Sequence, residues 1–247
     1  LVTGVQTCAL PICRVVQRIV DPESMLELQP LYARNVVCGL ARLNGFSVGV
    51  IANNPMFGAG TLDPQACHKI IRLATVCDSY NIPIIFLADV PGFMVGERVE
   101  HELMLHWGMR MMHALQNCSA PTLTVCIRKA FGLAWQAMNG SQMPALGVYS
   151  WPGAEIGFMD PEVGVNVAFG SKLARIEDEN AREAQRLELV REVGESTNPY
   201  EAAGTMRIDE IIDPGDTRGV LAHDLEMLAH RAVPPPEARP LSYWPTC

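Results

Sequence analysis

Apolar and polar positions along this chain follow two periods, and the switches between them outline its elements. Across VVQRIVDPESMLEL (15–28) the spacing predicts a short helix, a break at Asp21-Pro22 and a second helical turn. Apolar runs at 35–42 and 46–53 flank Asn44-Gly45, the strongest short hairpin signal. The tract NNPMFGAGTLD (53–63) has no period and is rich in turn residues, which predicts a loop. Asp63-Pro64 then reads as the cap and first position of a helix to about Tyr80, with Ile70, Ile71, Leu73, Ala74 and Cys77 on one face.

A strand–helix rhythm follows. The nearly all-apolar segment 82–90 predicts a strand covered on both faces. The loop PGFMVGE leads to a helix over 99–116, a strand over 121–127 and a short helical segment over 131–138. Another strand spans 146–150. A short helix runs from Pro161 to about Phe169, and a charged one covers 174–193. Asn198-Pro199 opens a turn, 208–212 forms a last strand, and 216–232 a last helix before a proline-rich tail over 233–247. Strands alternating with helices give an α/β fold with a parallel-rich core. One domain is expected over 14–232. The opening LVTGVQTCALPIC (1–13) fits neither period and resembles the translated read-through of a sequencing adaptor. It is expected to be non-native and to pack against nothing, the alternative being a disordered native tail.

Composition narrows the function classes. At 49% hydrophobic, the 247 residues are too apolar for wholesale disorder. No apolar run reaches the roughly 18 residues of a membrane-spanning helix. A formal net charge of −8 argues against a nucleic-acid partner. The eight cysteines include no C-x-x-C pair, and Cys38, Cys67, Cys77 and Cys126 fall inside apolar segments. They are expected to be reduced, buried thiols of a cytoplasmic protein.

Ligands of α/β sheets collect at the carboxyl ends of strands, which singles out three loops. These are Asp89 to Phe93, Arg128 to Trp135 and Trp151 to Glu155. In the second, the amides of Leu133 and Ala134 would open a helix and could receive a developing oxyanion. The competing reading is that Gly92 and Gly132 serve tight turns and nothing more. His101, His106 and His113 share one expected helix without metal-ligand spacing, so no metal is expected. Met104, Met109, Met111 and Met112 on that helix suit core or interface filling. Ser141 lacks the flanking glycines of a hydrolase elbow. RIEDENAREAQRLELVRE reads as a solvated helix, and Asp89 as a buried loop anchor.

Five segments, NNPMFGAGTLD, CDSYNIP, IIFLADVPGF, TVCIRKAFGLAW and WPGAEIGFM, together resemble the carboxyl-terminal half of biotin-dependent acyl-CoA carboxyltransferases, the β subunits of propionyl-, acetyl- and methylcrotonyl-CoA carboxylases. The likeness runs from about Arg14 to Arg231. It implies a crotonase-like (ClpP-like) spiral of ββα units. It also implies carboxyl transfer from carboxybiotin to the α-carbon of an acyl-CoA, with backbone amides holding the oxyanions and no metal. Biotin would arrive on a biotin carboxyl carrier charged by a biotin carboxylase subunit. The acyl-CoA would be bound by a homologous amino-terminal half that is missing here, within a homo-oligomer. By the same resemblance the Leu133 and Ala134 amides hold the biotin ureido oxygen, while Gly92 and Phe93 line the facing loop. The family's common Gly-Gly-Ala is here Gly132-Leu133-Ala134, so a side chain narrows the approach. The position that shapes acyl selectivity in relatives is Gln136. The alternatives are a crotonase-fold hydratase or isomerase using Glu97 or Glu155, and a non-catalytic assembly module of a carboxylase complex.

Overall fold

The computed structural model describes residues 11–141 and 143–229. The chain runs α1 (Ile12–Ile19), β1 (Leu26–Glu27), β2 (Val36–Leu43), β3 (Phe46–Asn53), α2 (Pro64–Tyr80), β4 (Ile84–Val90), α3 (Glu97–His101) and α4 (Met104–Gln116). It continues through β5 (Thr122–Phe131), α5 (Gly132–Ala137), β6 (Gly147–Ser150), β7 (Glu155–Gly157), α6 (Pro161–Leu173), α7 (Glu179–Glu195), α8 (Pro199–Gly204), β8 (Glu210–Ile211) and α9 (Thr217–Ala229). One sheet holds the order β1-β2-β3-β4-β5-β6-β8, with β7 also on β5. The first three strands are antiparallel and all later pairings parallel.

Alternate residues of the central strands feed two cores. Ile51, Phe86 and Cys126 join the core beneath α2, α4 and α5, while Val50, Leu87 and Val125 join the one shared with α1 and α9. Every residue of β4 is therefore buried, as a strand covered on both faces requires. Local signals act as read. Asn44 and Gly45 take φ of 50° and 83°, the positive values a two-residue hairpin turn needs. The Asp21 carboxylate accepts both their amides at 2.9 Å. The Asp63 side chain caps the Ala66 amide at 2.8 Å, and Asn81 ends α2 in the left-handed region.

Several boundaries differ from the expectation. The second helical turn is instead β1, because the edge of β2 offers backbone partners and Gly39 leaves room for the chain opposite it. The helix expected over 99–116 is cut at Leu103, whose φ of 64° separates α3 from α4. That turn lets α4 bury Met104, Met111, Ala114 and Leu115 while α3 buries Val99. β5 runs on to Phe131 because the segment taken for a loop after Trp151 supplies β7, pairing Lys129 with Glu155 and Phe131 with Gly157. The gap between α6 and α7 falls later than expected, where Asp178 caps the Asn180 amide. α7 buries no residue, in keeping with a solvated charged helix.

Ile12, placed in the stretch expected to pack against nothing, is 1% exposed in the α1/α9 core. The packed fold thus takes in Ile12 and Cys13, since α1 starts two residues before Arg14. Residues 1–10 and the proline-rich tail lie outside the described residues. Cys38, Cys67, Cys77 and Cys126 are free and buried. Among the described residues no helix is long and apolar enough to cross a membrane.

Candidate active site

The site is assembled where β4 and β5 end. Their ladder pairs Ala88 with Cys126 and then Val90 with Ala130, so β5 carries two extra residues opposite Asp89. Such a bulge leaves backbone groups without ladder partners. Asp89, 1% exposed, fills it. Its two carboxylate oxygens accept the Arg128 Nε–H at 3.1 Å, and Oδ1 also accepts the Lys129 amide at 3.3 Å. The anchor role expected for Asp89 is thus its geometry here.

The Asp89 amide donates to Asn53 Oδ1 at 3.2 Å, and Asn53 Nδ2 donates to the Gly60 carbonyl at 3.1 Å. Gly60 has φ of 78°, and a β-carbon there would stand 2.7 Å from the Asp89 carbonyl oxygen. Only glycine lets these two backbones meet so closely. From this fixed loop the Leu62 amide donates to the Gly92 carbonyl at 3.1 Å, and the Met94 amide donates to the Leu62 carbonyl at 2.8 Å. Gly92 and Phe93 are thereby clamped beyond the end of β4.

On the neighbouring strand, Gly132 turns the chain from β5 into α5 at φ of 58°, and a β-carbon there would lie 2.9 Å from the Phe158 carbonyl oxygen. The following amides, Leu133 and Ala134, lie in the first turn of α5, where helical bonding supplies no acceptor. Ala134 is buried, whereas the Leu133 side chain is 45% exposed. The helix is braced from behind by the Trp135 Nε1–H, which donates to Ser141 Oγ at 2.8 Å. Ser141 is thus a bracing acceptor.

A cavity of about 160 Å³ joins the two loops; Phe93, Met94, Glu100, Met104, Gly108 and Leu133 are among the residues that line it. The structure therefore brings Phe93 and Leu133 together. Gly92, Gly132 and Ala134 adjoin them in the chain, and Gln136 lies one turn further along α5, outside the lining. Glu97 and Glu155 do not line this cavity either, which leaves the hydratase alternative without the carboxylates assigned to it. Sequence reasoning missed Glu100 and Gly108. A glycine inside an apolar helix is the signal that would have found the second.

The remaining candidates are accounted for. Among the described residues no group of three or more His, Cys, Asp or Glu is placed to hold a metal. His106 packs edge-on against Trp107 at 5.5 Å. The third loop is a tied turn, its Trp151 Nε1–H donating to Thr217 Oγ1 at 2.9 Å. Lys129 pairs with Asp160 at 2.8 Å. Burial, reinforced by Asp89, pushes the Cys126 thiol well above its ordinary value, which disfavours its thiolate. What this site offers is the first turn of a helix beside a largely apolar cavity.

Residues 8–240 match the carboxyl transferase domain family. The chain belongs to that family. It is 39% identical over 225 residues to the carboxyltransferase subunit of propionyl-CoA carboxylase from Haloferax mediterranei, covering 91% of this chain and 43% of that one. It is also 39% identical over 215 residues to the methylmalonyl-CoA carboxyltransferase 12S subunit of Propionibacterium freudenreichii subsp. shermanii, covering 87% and 41%. The crystal structure of transcarboxylase 12S, described as a hexamer assembly with methylmalonyl-coenzyme A bound, superposes with a TM-score of 0.84 at 37% identity. That match covers 94% of this chain and 44% of the other. The β subunit of geranyl-CoA carboxylase from P. aeruginosa shares the fold, with a TM-score of 0.84 at 24% identity over 95% of this chain and 45% of that one. The fold is accordingly the crotonase-like one expected. The chain spans less than half the length of the relatives it matches.

Proposed function

We propose that this chain forms the biotin side of an acyl-CoA carboxyltransferase. The observation that supports the reading is the left-handed turn at Gly132, which opens α5 with Leu133, a residue that shares a cavity lining with Phe93. The fit to biotin is chemical. Its ureido oxygen is an acceptor that two first-turn amides can meet, and its ring carbons suit walls made by Phe93, Met94 and Met104. Bound there on a partner protein, biotin would supply the activated carboxyl group and, once that group has left, a base for the α-proton of the acyl thioester.

The chain's own residues orient and stabilise. Main-chain amides are fixed dipoles that need no reorganisation as charge develops on an oxygen, and such donors are worth most where water is excluded. Asp89 and Arg128 hold the end of β5, and so the place where α5 begins. Gln136, half-buried on α5, stands on the element that would face the acyl group.

The substrate class is a short acyl-CoA, by likeness to relatives named for propionyl- and methylmalonyl-CoA. The partners are a biotin carboxyl carrier, a biotin carboxylase subunit and a homologous amino-terminal half that binds the CoA ester. Exposed Leu103, Leu105 and Met109 on and beside α4 give that half, or a further copy, an apolar surface. Amide NMR of the full chain titrated with biotin tests the placement. Shifts should centre on Leu133, Ala134 and Gly92; shifts confined to other elements, or none at saturating biotin, would overturn it.

A further inference from the structure

We propose that Gly108 is a positioning residue, fixing where the Phe93 ring lies and thereby setting the width of the cavity beside Leu133. α4 buries Met104, Met111, Ala114 and Leu115, so position 108 sits in the middle of a well-packed helix. Glycine there weakens the helix relative to alanine. Its presence is explained by a close approach. A β-carbon at 108 would stand 3.3 Å from both Cε1 and Cζ of Phe93, inside ordinary contact, and 3.8 Å from Met104 Cε.

Phe93 has little freedom to retreat along the chain. Leu62, itself buried, bonds to Gly92 on one side of it and Met94 on the other, at 3.1 and 2.8 Å. Behind Leu62, Gly60 is pressed against the carbonyl of Asp89. The ring is then the part that moves, and it shares the cavity lining with both Gly108 and Leu133. An apolar cavity of about 150 Å³ holds a benzene-sized group. At about 160 Å³ the space here has little to spare for a displaced ring. A methyl group at 108 should turn the ring into the cavity, and narrow it for the ring portion of biotin. The last clause rests on the biotin reading; the ring displacement does not.

The test uses the full chain and its Gly108→Ala, Phe93→Leu and doubly substituted forms. Three quantities are read: the ring-current-shifted methyl resonances of Leu133, the affinity for free biotin, and the melting temperature. Gly108→Ala should keep or raise the melting temperature, move the Leu133 methyls and weaken biotin by about fivefold or more, in the range of couplings between touching residues. The double variant should bind biotin within about twofold of Phe93→Leu alone, since the smaller side chain removes the conflict. A merely structural role would lower stability and affinity together and leave the two losses additive. Unmoved Leu133 methyls with unchanged affinity in Gly108→Ala, or additive losses, would overturn the proposal. Should Gly108→Ala fail to fold, Phe93→Leu alone must still move the Leu133 methyls, or the proposal falls. Methyls that move in Gly108→Ala while wild type ignores biotin would sustain the positioning role and refute the biotin reading.

Discussion

Replacing Asp89 with alanine attacks the joint on which the site is built. Its side chain is 2% exposed and that of Arg128 21%, so the pair is largely out of water. The substitution strands a guanidinium that donated to both oxygens at 3.1 Å and removes the acceptor of the Lys129 amide at 3.3 Å. Removing one partner of a buried pair costs about 3–5 kcal/mol, and the residual exposure of Arg128 points to the lower end of that range. For a chain of this size each kcal/mol is worth roughly 2–4 °C, so a fall of about 6–12 °C in melting temperature is expected. Asp89→Asn keeps the shape and the Lys129 acceptor but loses the charge, and should cost about 1.5–3 kcal/mol. Asp89→Leu combined with Arg128→Met should cost less than Asp89→Ala alone, since no unpaired charge remains. Urea unfolding followed by circular dichroism measures all three. A loss under about 1 kcal/mol in Asp89→Ala, with an unchanged urea slope, would refute the reasoning.

Further outcomes follow from the same structure. Burial pushes the thiols of Cys38 and Cys77 up to about 12, against an ordinary value near 9. Their contribution is whole below the unfolded value and is lost as pH rises toward 12; stability should fall between pH 9 and 11 by about 1.4 kcal/mol per pH unit for each thiol. Urea midpoints should show that slope reduced in Cys38→Ala. Iodoacetamide should label exposed Cys13 in the native chain, and Cys38, Cys67, Cys77 and Cys126 after unfolding. Removing residues 1–13 should lower the melting temperature through loss of buried Ile12. Gly132→Ala should destabilise by about 1–2 kcal/mol for the left-handed backbone alone, before the clash with the Phe158 carbonyl, as read by urea titration.

Much of the frame was legible where a residue type carries its own geometry. Asn44-Gly45 and Asp63-Pro64 each act through backbone preferences that need no distant partner, and both sit where the sequence put them. The misreadings share a cause. β1 and β7 are two and three residues long, too short to show a period, and exist because β2 and β5 offer them an edge. The break at Leu103 is imposed by the different surfaces that α3 and α4 cover, which local spacing does not encode. The site divides in the same way. The turn glycines Gly92 and Gly132 announced themselves, but the meeting of Phe93 with Leu133 came from family likeness rather than from spacing. The bulge opposite Asp89 depends on the register of two strands. A carboxylate in an otherwise apolar strand, with Arg128 just past the next one, was the available hint.

The central claim is that main-chain amides at the start of α5 stabilise charge during carboxyl transfer. The direct test is the rate of labelled carboxyl transfer to acyl-CoA esters in the assembled enzyme, comparing Leu133→Pro with Leu133→Gly. Position 133 suits the test because its side chain is 45% exposed and proline is tolerated in the first turn of a helix. Circular dichroism should find both variants folded. Leu133→Gly keeps the amide and should stay within about tenfold of the parent, whereas Leu133→Pro loses one donor and should fall by about 10²–10³. A folded Leu133→Pro that turns over at the parent rate would contradict the account.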